Sequence, residues 1–393
     1  MAERTPLHGR HLQAGARMTE FAGWEMPLQY TSVREEQRAV RTGAGLFDVS
    51  HMGRFEVLGS DAGAFLQHLV TNDLSRLAPG RAQYDLSCRP DAGIVDDLVV
   101  YRLERTWLVV GNAGNRGKDL EWMRAHAPAG VEIVDRTHEL GLIALQGPSA
   151  PGLLPAAEMG PGSLPRFGVG RTTVAGVEVL ASRTGYTGED GFELFVTADR
   201  AEQVWDALVE AGARPCGLAA RDVCRLEAGL RLYGNDMDET TNPYEVGLGW
   251  VVKLDKGPFL GREALRRIRE QGPARTLIGL AGGRTIPRPG AVVRRGGRPI
   301  GSVTSGTYSF WLGMGIGMAL VETGTAPAGA RVELDLSGRG GPAEVVPLPL
   351  YRGTAASGTR RGADPGRTPL GRCPGITAEE DDTRGGALLH RDP

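Results

Sequence analysis

The sequence predicts a mixed α+β protein that ends in a small all-β barrel. Three observations support this fold class. Up to about residue 275, strand-like runs and helical stretches alternate, with Gly or Pro turns between them. From there to about residue 352, short and evenly spaced β runs follow one another, which is typical of a barrel. Beyond residue 352 the composition becomes that of a chain that cannot bury a core.

The composition is that of a globular protein with two or three domains. Of the 393 residues, 41% are hydrophobic, which is enough for packed cores. The formal net charge is -2, so no basic field covers the surface and no nucleic-acid partner is expected. The sequence has neither an apolar run of about 18 residues nor a signal segment at its start, so we expect a cytoplasmic protein without a membrane partner.

The four cysteines indicate a reducing compartment. Cys88, Cys216, Cys224 and Cys373 show no CxxC spacing and no paired framework. This distribution argues against a zinc site, and we expect no metal.

In the first part of the chain, one helix and three strands are predicted. Residues 61–70 have apolar residues at helical spacing after an Asp that can cap a helix. Two β runs, 82–88 and 94–101, flank the turn-like segment 89–93 and predict a β-hairpin. Residues 107–110 would add a third strand to it.

The middle of the chain predicts two more strands and two helices. The runs 177–182 and 192–196 lie on either side of the glycine-rich segment 184–191. Helical periodicity follows over 200–211 and again over 218–228.

The barrel is predicted from six β runs separated by glycine turns. These runs are 276–280, 291–294, 299–304, 315–320, 331–336 and 343–347. After them, residues 354–393 are rich in Gly, Arg, Pro and Asp and include an acidic run at 379–382. We interpret this segment as a disordered tail.

Two adjacent carboxylates interrupt the apolar strand 94–101. A charge inside an apolar strand is costly unless something compensates it. Strand alternation sends Asp96 and Asp97 to opposite faces and places Asp97 on the face of Tyr101. One alternative is that both carboxylates lie at a solvent-exposed strand entrance. Whether Tyr84 on the partner strand shares the Asp97 face depends on a register that the sequence does not determine.

The glycine-rich segment 183–193 places Tyr186 and Glu193 seven residues apart. Its glycines permit close backbone approach, but it has neither of the common phosphate-loop patterns, which disfavours a nucleotide site. A tight hairpin turn is the alternative interpretation.

A predicted helix carries two arginines on one face. Arg221 and Arg225 are four residues apart, and such a pair is also compatible with a solvated salt-bridge face. His51 and Asn112 are similarly ambiguous. No Ser-His-Asp set or metal-spaced histidine cluster can be assembled.

Taken together, these segments resemble the glycine cleavage T-protein family. The matching strings follow the family's order along the chain. They are Phe21-Ala-Gly-Trp-Glu-Met-Pro27, Gly45-Leu-Phe-Asp-Val-Ser-His-Met-Gly53, residues 93–101, residues 183–193, Ala220-Arg-Asp-Val-Cys-Arg-Leu-Glu227 and Asn242-Pro-Tyr-Glu-Val-Gly-Leu248.

The resemblance implies a three-domain cloverleaf around a central folate-binding hole. Two α+β domains with antiparallel sheets, interleaved in sequence, would be joined by the C-terminal β-barrel. The implied division is 1–48, 142–172 and 228–275 for the first domain, 49–141 and 173–227 for the second, 276–352 for the barrel and 353–393 for the tail.

The resemblance also implies the residues of the site. Asp97 is the matched carboxylate that acts in catalysis. Glu193 and Arg221 would bind tetrahydrofolate, the carboxylate accepting hydrogen bonds from the aminopyrimidine edge of the pterin. Rings and other side chains would complete the folate pocket: Tyr84, Tyr101, Tyr186, Met52, Asn112 and Tyr351.

The implied activity is that of an aminomethyltransferase. It would take the one-carbon unit from the aminomethyl-lipoyl group of the H-protein, pass it to tetrahydrofolate and release ammonia. One alternative is a related tetrahydrofolate-dependent demethylase, which would share the fold and the folate site. Another is a non-catalytic folate-binding protein, but the Lys-Gly-Cys-Tyr-x-Gly-Gln motif of that group is absent.

The sequence departs from the family in two places. Phe310 and Trp311 replace a usual Pro-Thr pair and are expected to alter a barrel loop near the domain interface. Family members also generally stop soon after the position of Tyr351, with a short basic end, where this chain continues.

Overall fold

The computed structural model of the protein describes residues 2–154 and 164–356. Its α-helices are α1 His8–Gln13, α2 Val33–Thr42, α3 Ala62–Leu69, α4 Arg116–His126, α5 Ala150–Leu153, α6 Ala201–Glu210, α7 Leu218–Glu227 and α8 Arg262–Gln271. The predicted helices at 61–70, 200–211 and 218–228 are confirmed as α3, α6 and α7. Asp61 precedes α3, but its side chain makes no capping hydrogen bond; apolar burial stabilises this helix.

The strands form two larger sheets, a three-stranded sheet near the N-terminus and a barrel. In chain order they are β1 Glu3–Arg4, β2 Arg17–Phe21, β3 Trp24–Gln29, β4 Gly45–Asp48, β5 Gly53–Leu58, β6 Arg81–Cys88, β7 Ile94–Arg102, β8 Trp107–Gly111, β9 Glu132–Asp135, β10 Leu140–Gln146, β11 Val169–Val174, β12 Val177–Ser182, β13 Gly191–Thr197, β14 Arg214–Pro215, β15 Arg275–Gly283, β16 Val292–Arg295, β17 Arg298–Ser309, β18 Met314–Glu322, β19 Arg331–Leu336 and β20 Arg339–Val346.

A six-stranded sheet has the order β11-β12-β13-β10-β4-β14. Its central strand β10 is a nearly continuous apolar run because both of its faces are covered. Ile143 and Leu145 belong to the core under α6, whereas Leu142 and Ala144 belong to the core on the opposite face. The sheet places Glu193 on β13 and the glycine-rich segment between β12 and β13.

A five-stranded sheet has the order β6-β7-β8-β5-β9 and contains the predicted hairpin. Strands β6 and β7 are antiparallel and β8 pairs with β7, as the sequence predicts. In the observed register Tyr84 lies opposite Val99 and Leu86 lies opposite Asp97. Tyr84 therefore shares the Asp97 face, which answers the question that the sequence left open.

The C-terminal strands close into a barrel in the order β15-β18-β17-β16-β19-β20, with β20 paired to β15. Alternate residues of these strands fill the interior, among them Leu280, Val293 and Val321. The predicted barrel is confirmed, and with the two larger sheets it gives the α+β architecture that the resemblance implies.

Strand pairing groups the chain differently from the predicted domain division. Segment 173–227, predicted to belong with 49–141, contributes β12 and β13 to the sheet that contains β4 and β10. Within 228–275, predicted to belong to the first domain, Val246 and Leu248 pack with Leu86 and Ile94 of the hairpin. These associations join residues far apart in sequence, and the domain division that the resemblance implies stays a prediction.

Two other predictions concern a membrane span and the C-terminal tail. No helix in the described ranges is both long and apolar enough to cross a bilayer. Within the predicted tail, Thr354–Ala356 form a 3-10 turn and the backbone N–H of Thr354 donates to Glu189 at 2.9 Å. The remainder, 357–393, lies outside the described residues.

Candidate functional site

Asp97 occupies the middle of β7, where its carboxyl group is half-buried and receives two hydrogen bonds. The hydroxyl of Tyr84 donates to Oδ2 at 3.0 Å, and Nδ2 of Asn112 donates to Oδ1 at 2.6 Å. Asn112 follows β8, so three consecutive strands of one sheet place these side chains together. The alternative of a solvent-exposed strand entrance is not observed, since Asp96 is fully buried and Asp97 partly so.

The environment of Asp97 makes it a weaker acid than an ordinary aspartate. Burial, followed by the negative charge of Asp96, raises the pKa of Asp97 to about 7. Hydrogen bonds from Asn112 and Tyr84 oppose this rise because they stabilise the carboxylate form. A carboxyl group with a pKa near neutrality is suited to accept and return a proton.

Tyr186 lies in the glycine-rich segment and Glu193 lies on β13 of the neighbouring sheet, and both interact with the charge of Arg221. The hydroxyl of Thr184 donates to Oε2 of Glu193, and Tyr101 contacts the same carboxyl group. Burial raises the pKa of Glu193. The hydroxyl of Tyr186 donates to the backbone carbonyl of Arg231. The segment is thus more than a turn, because it brings a half-buried acceptor and an aromatic ring to one place.

Arg221 and Arg225 have different environments although they share a helix face. The guanidinium of Arg221 lies over the Tyr186 ring, 5.0 Å from its centroid, and burial lowers its pKa. Within the described residues no acceptor hydrogen-bonds to it. Arg225, in contrast, is buried in ion pairs with Asp222 and Asp236. Arg221 therefore offers free donors to a ligand, and Arg225 is structural.

Met52 and Tyr101 provide an apolar wall to the same region. The Tyr101 ring is 1% exposed and packs edge-to-face on Phe195, with ring centroids 5.3 Å apart. Met52 and Val99 pack against the core cluster that contains both rings. Strand alternation correctly predicts that Tyr101 and Asp97 share a face, with Tyr101 further along the strand.

Tyr351 contacts a different set of residues from those around Asp97. The Arg41 guanidinium is 4.3 Å from the Tyr351 ring centroid, and Trp311 packs edge-to-face at 6.3 Å. Glu189 contacts the Tyr351 hydroxyl. Among the described contacts, Tyr351 is linked to the site through Glu189 of the glycine-rich segment and not through Asp97. Trp311, one of the two unusual barrel residues, thus reaches a predicted folate residue.

His51, which was ambiguous in the sequence, is completely buried. Neither ring nitrogen has a hydrogen-bond partner in the part of the chain that the structure describes, and the ring packs edge-to-face on Phe21. Burial, with the positive charge of Arg221 as a second cause, lowers the pKa of His51 to about 3. The imidazole is therefore neutral at physiological pH.

Sequence reasoning did not identify three residues that adjoin the site. The charge of Arg231 acts on both Tyr84 and Tyr186. Trp250 is 59% exposed and stacks on Tyr84, with centroids 6.1 Å apart. Asp119 contacts Asp96 from α4. A tryptophan is conspicuous in a sequence, so Trp250 could have been noticed there. Arg231 and Asp119 lie in local sequence patterns that are not unusual.

Comparison with known protein families identifies two adjacent matches that together cover most of the chain. Residues 7–256 match the GCVT N-terminal domain, and residues 275–352 match the glycine cleavage T-protein C-terminal barrel domain. The second match coincides with the closed barrel.

Individual proteins similar to this chain are named aminomethyltransferases. The protein of Herpetosiphon aurantiacus is 49% identical over 356 residues, which is 89% of this chain and 98% of that protein. The protein of Symbiobacterium thermophilum is 50% identical over 366 residues, covering 89% and 97%. The solved structure of glycine cleavage system aminomethyltransferase T from Bartonella henselae is 34% identical, covers 90% of this chain and 99% of that one, and superposes with a TM-score of 0.84.

Proposed function

The chain belongs to the glycine cleavage T-protein family and is an aminomethyltransferase, and we propose that it transfers the one-carbon unit of an aminomethyl-lipoyl group to tetrahydrofolate. The donor is the lipoylated H-protein. The products are ammonia, 5,10-methylenetetrahydrofolate and the dihydrolipoyl carrier.

The observation that carries this proposal is the arrangement around Asp97. Its carboxyl group is fixed by Tyr84 and Asn112 and remains half-buried, so one side stays accessible to a substrate. A positive charge that develops on the transferred carbon would be stabilised there, because burial weakens solvent screening.

The residues around Asp97 fit a pterin. A flat heterocycle with an aminopyrimidine edge requires a planar carboxylate acceptor, a donor for its carbonyl and apolar faces. Glu193 supplies the acceptor, and Arg221 supplies guanidinium donors that have no acceptor among the described residues. Tyr186 and Met52 supply apolar contact. We propose Tyr101 as the residue that orients Glu193.

Two further assignments complete the proposed pocket. Asn112 orients Asp97 through its amide, and Tyr84 does so through its hydroxyl. Tyr351 is proposed as a folate contact from the barrel side, adjoining the glycine-rich segment through Glu189.

The proton balance of the reaction indicates a specific role for Asp97. Tetrahydrofolate supplies two nitrogens that each lose a proton as they bond to the transferred carbon. One of those protons finishes on the lipoyl sulfur when the C–S bond breaks. The other finishes on the nitrogen that leaves when the C–N bond breaks, which departs as ammonia from a neutral donor amine and as ammonium from a protonated one. The net transfer therefore needs no external acid or base, and Asp97 moves protons between these atoms. A pKa of about 7 allows both its forms at neutral pH.

We also propose a cytoplasmic location. Three cysteines within the described ranges, Cys88, Cys216 and Cys224, are free and buried, which fits a reducing compartment.

The proposed reaction is tested with purified protein, tetrahydrofolate and H-protein loaded with the aminomethyl group. We expect ammonia and methylenetetrahydrofolate to form in equal amounts. Omission of tetrahydrofolate or use of unlipoylated carrier should reduce both products to background.

A parallel incubation with a methylated amine in place of the carrier tests the demethylase alternative. Transfer of that amine's methyl group to tetrahydrofolate, or folate binding without any turnover of the carrier, would contradict the proposed reaction.

A further inference from the structure

Asp119 lies outside the predicted site, yet its carboxyl group is buried beside Asp96. It occupies the first turn of α4 and is 3% exposed, and Asp96 is fully buried. Their side chains are in hydrogen-bond contact. Within residues 2–154 and 164–356, neither of them nor Asp97 forms a salt bridge. Among the described residues, three carboxyl groups thus share one weakly solvated region without an ion pair.

The hydrogen bonds of Asp96 are those of an ionised carboxylate. Its Oδ1 accepts from Nδ2 of Asn112 at 2.8 Å and from Nδ2 of Asn115 at 2.7 Å. Its Oδ2 accepts from the backbone N–H of Asn112 at 3.0 Å. Three donors to one carboxyl group stabilise its negative form.

Asp119 has the opposite pattern. Its Oδ2 is buried and receives no hydrogen bond from any donor in the described chain. A Cβ atom added at Gly111 would lie 2.6 Å from Oδ2 of Asp119 and 3.3 Å from Oδ2 of Asp96. The two oxygens therefore converge on the space that this glycine leaves open, although neither residue supplies a donor when both are ionised.

A proton between the carboxyl groups of Asp96 and Asp119 turns their contact from repulsive to favourable. Two adjacent buried carboxylates repel each other, whereas a carboxylic acid donates to a carboxylate. The N-terminus of α4 favours an anion at Asp119 only weakly. Burial, with the charge of Asp96 as the second cause, raises the pKa of Asp119 to about 11.

The other charged groups around Asp119 do not make its ionised form the favoured one. Lys118 favours the ionised form, but its Nζ is bound to the Tyr233 hydroxyl at 2.8 Å and to Glu239 at 3.2 Å. The charge of Asp97 favours the neutral form.

From this geometry we propose that Asp119 is a positioning residue for Asp97. As a neutral carboxylic acid it donates to Asp96, which in turn fixes the amide of Asn112. Because Asn112 faces acceptors on both Asp96 and Asp97, its NH₂ group must point toward them. The orientation of Asp97 toward substrate thus depends on a proton stored at Asp119. The role of Asp97 itself rests on the proposed function.

Isotope-edited infrared spectroscopy tests the protonation directly. The full-length protein is prepared with aspartate carrying ¹³C in the side-chain carboxyl group, and spectra are recorded at pH 9. We expect a carbonyl band of a neutral carboxylic acid that is lost in Asp119→Asn and kept in Asp91→Asn, a control on the exposed hairpin turn. A spectrum without this band, or its persistence in Asp119→Asn, would overturn the proposal. This readout is independent of any catalytic activity.

Two variants of similar size separate positioning from packing. Asp119→Asn keeps a donor for Asp96, whereas Asp119→Leu has none. We expect Asp119→Leu to lower kcat about tenfold to a hundredfold with little change in the KM for tetrahydrofolate, and Asp119→Asn to retain kcat within about threefold. Equal losses in both variants, or a loss confined to KM, would contradict a positioning role. If Asp119→Leu does not fold, the infrared spectrum of Asp119→Asn still decides whether Asp119 carries the proton on which the proposal depends.

Discussion

The hydroxyl of Tyr84 donates to Oδ2 of Asp97 at 3.0 Å, although the residue directly opposite Asp97 in the strand register is Leu86. The contact is diagonal across one face of the sheet, within reach of a long aromatic side chain. It stabilises the ionised form of Asp97 against the effects of burial and of Asp96.

Replacing Tyr84 by Phe removes this donor and keeps the ring. The pKa of Asp97 should then rise further, by about one pH unit, because a hydrogen bond to a charged group is lost. Activity that needs the carboxylate is present above this pKa and is lost as pH falls through it. The acid limb of the kcat/KM profile should therefore move to higher pH.

The matched control is Tyr308→Phe, on a barrel strand away from Asp97, which should leave the profile unchanged. If the acid limb does not shift in a folded Tyr84→Phe protein, that limb does not report the titration of Asp97.

Replacing Glu193 by Gln tests the proposed acceptor for the pterin. The amide retains the shape but loses the charge, so the Kd for tetrahydrofolate should rise about 10- to 100-fold. Calorimetry or fluorescence quenching measures this constant without turnover. Glu178→Gln, an exposed position on the neighbouring strand β12, should bind folate as the unmodified protein does. An unchanged Kd for tetrahydrofolate in Glu193→Gln would show that Glu193 does not bind the pterin.

The buried ion pair between Arg225 and Asp236 should be important for stability. Arg225 also donates to the Ser305 hydroxyl at 2.9 Å and thereby connects α7 to the barrel. Arg225→Leu would leave Asp236 buried without its partner, so the free energy of unfolding should fall by about 3–5 kcal/mol.

Denaturant unfolding measures that difference. Arg171→Leu removes an exposed ion pair with Glu178 and should leave the unfolding midpoint unchanged. Similar midpoints for the two variants would show that the Arg225 network is not stabilising.

Local patterns predicted the elements of this fold much better than their association. Hydrophobic periodicity identified α3, α6, α7, the hairpin and all six barrel strands, because each depends on residues close in sequence. The pairing of β4 with β10 and the packing of 228–275 on the hairpin depend on tertiary contacts. The domain division was implied by the family resemblance and not by these local patterns, and it stays a prediction beside this strand pairing.

The candidate site shows the same distinction. Alternation placed Asp97 and Tyr101 on one face from sequence alone. The Tyr84 contact needed the register, and Arg231 and Asp119 needed the fold, since neither lies in an unusual local pattern. The family resemblance predicts Glu193 and Arg221 as site residues, and the structure adds the contacts of Glu193 with Thr184 and Tyr101.

The proposal that Asp97 acts in the carbon transfer is tested most directly by single-turnover transfer in Asp97→Asn. The amide preserves the size of the side chain but cannot accept the proton or stabilise positive charge as a carboxylate does. Formation of methylenetetrahydrofolate from aminomethylated H-protein should slow about 100-fold or more, while tetrahydrofolate binding and the unfolding midpoint stay close to those of Asp91→Asn. A transfer rate in Asp97→Asn equal to that of Asp91→Asn would contradict the account.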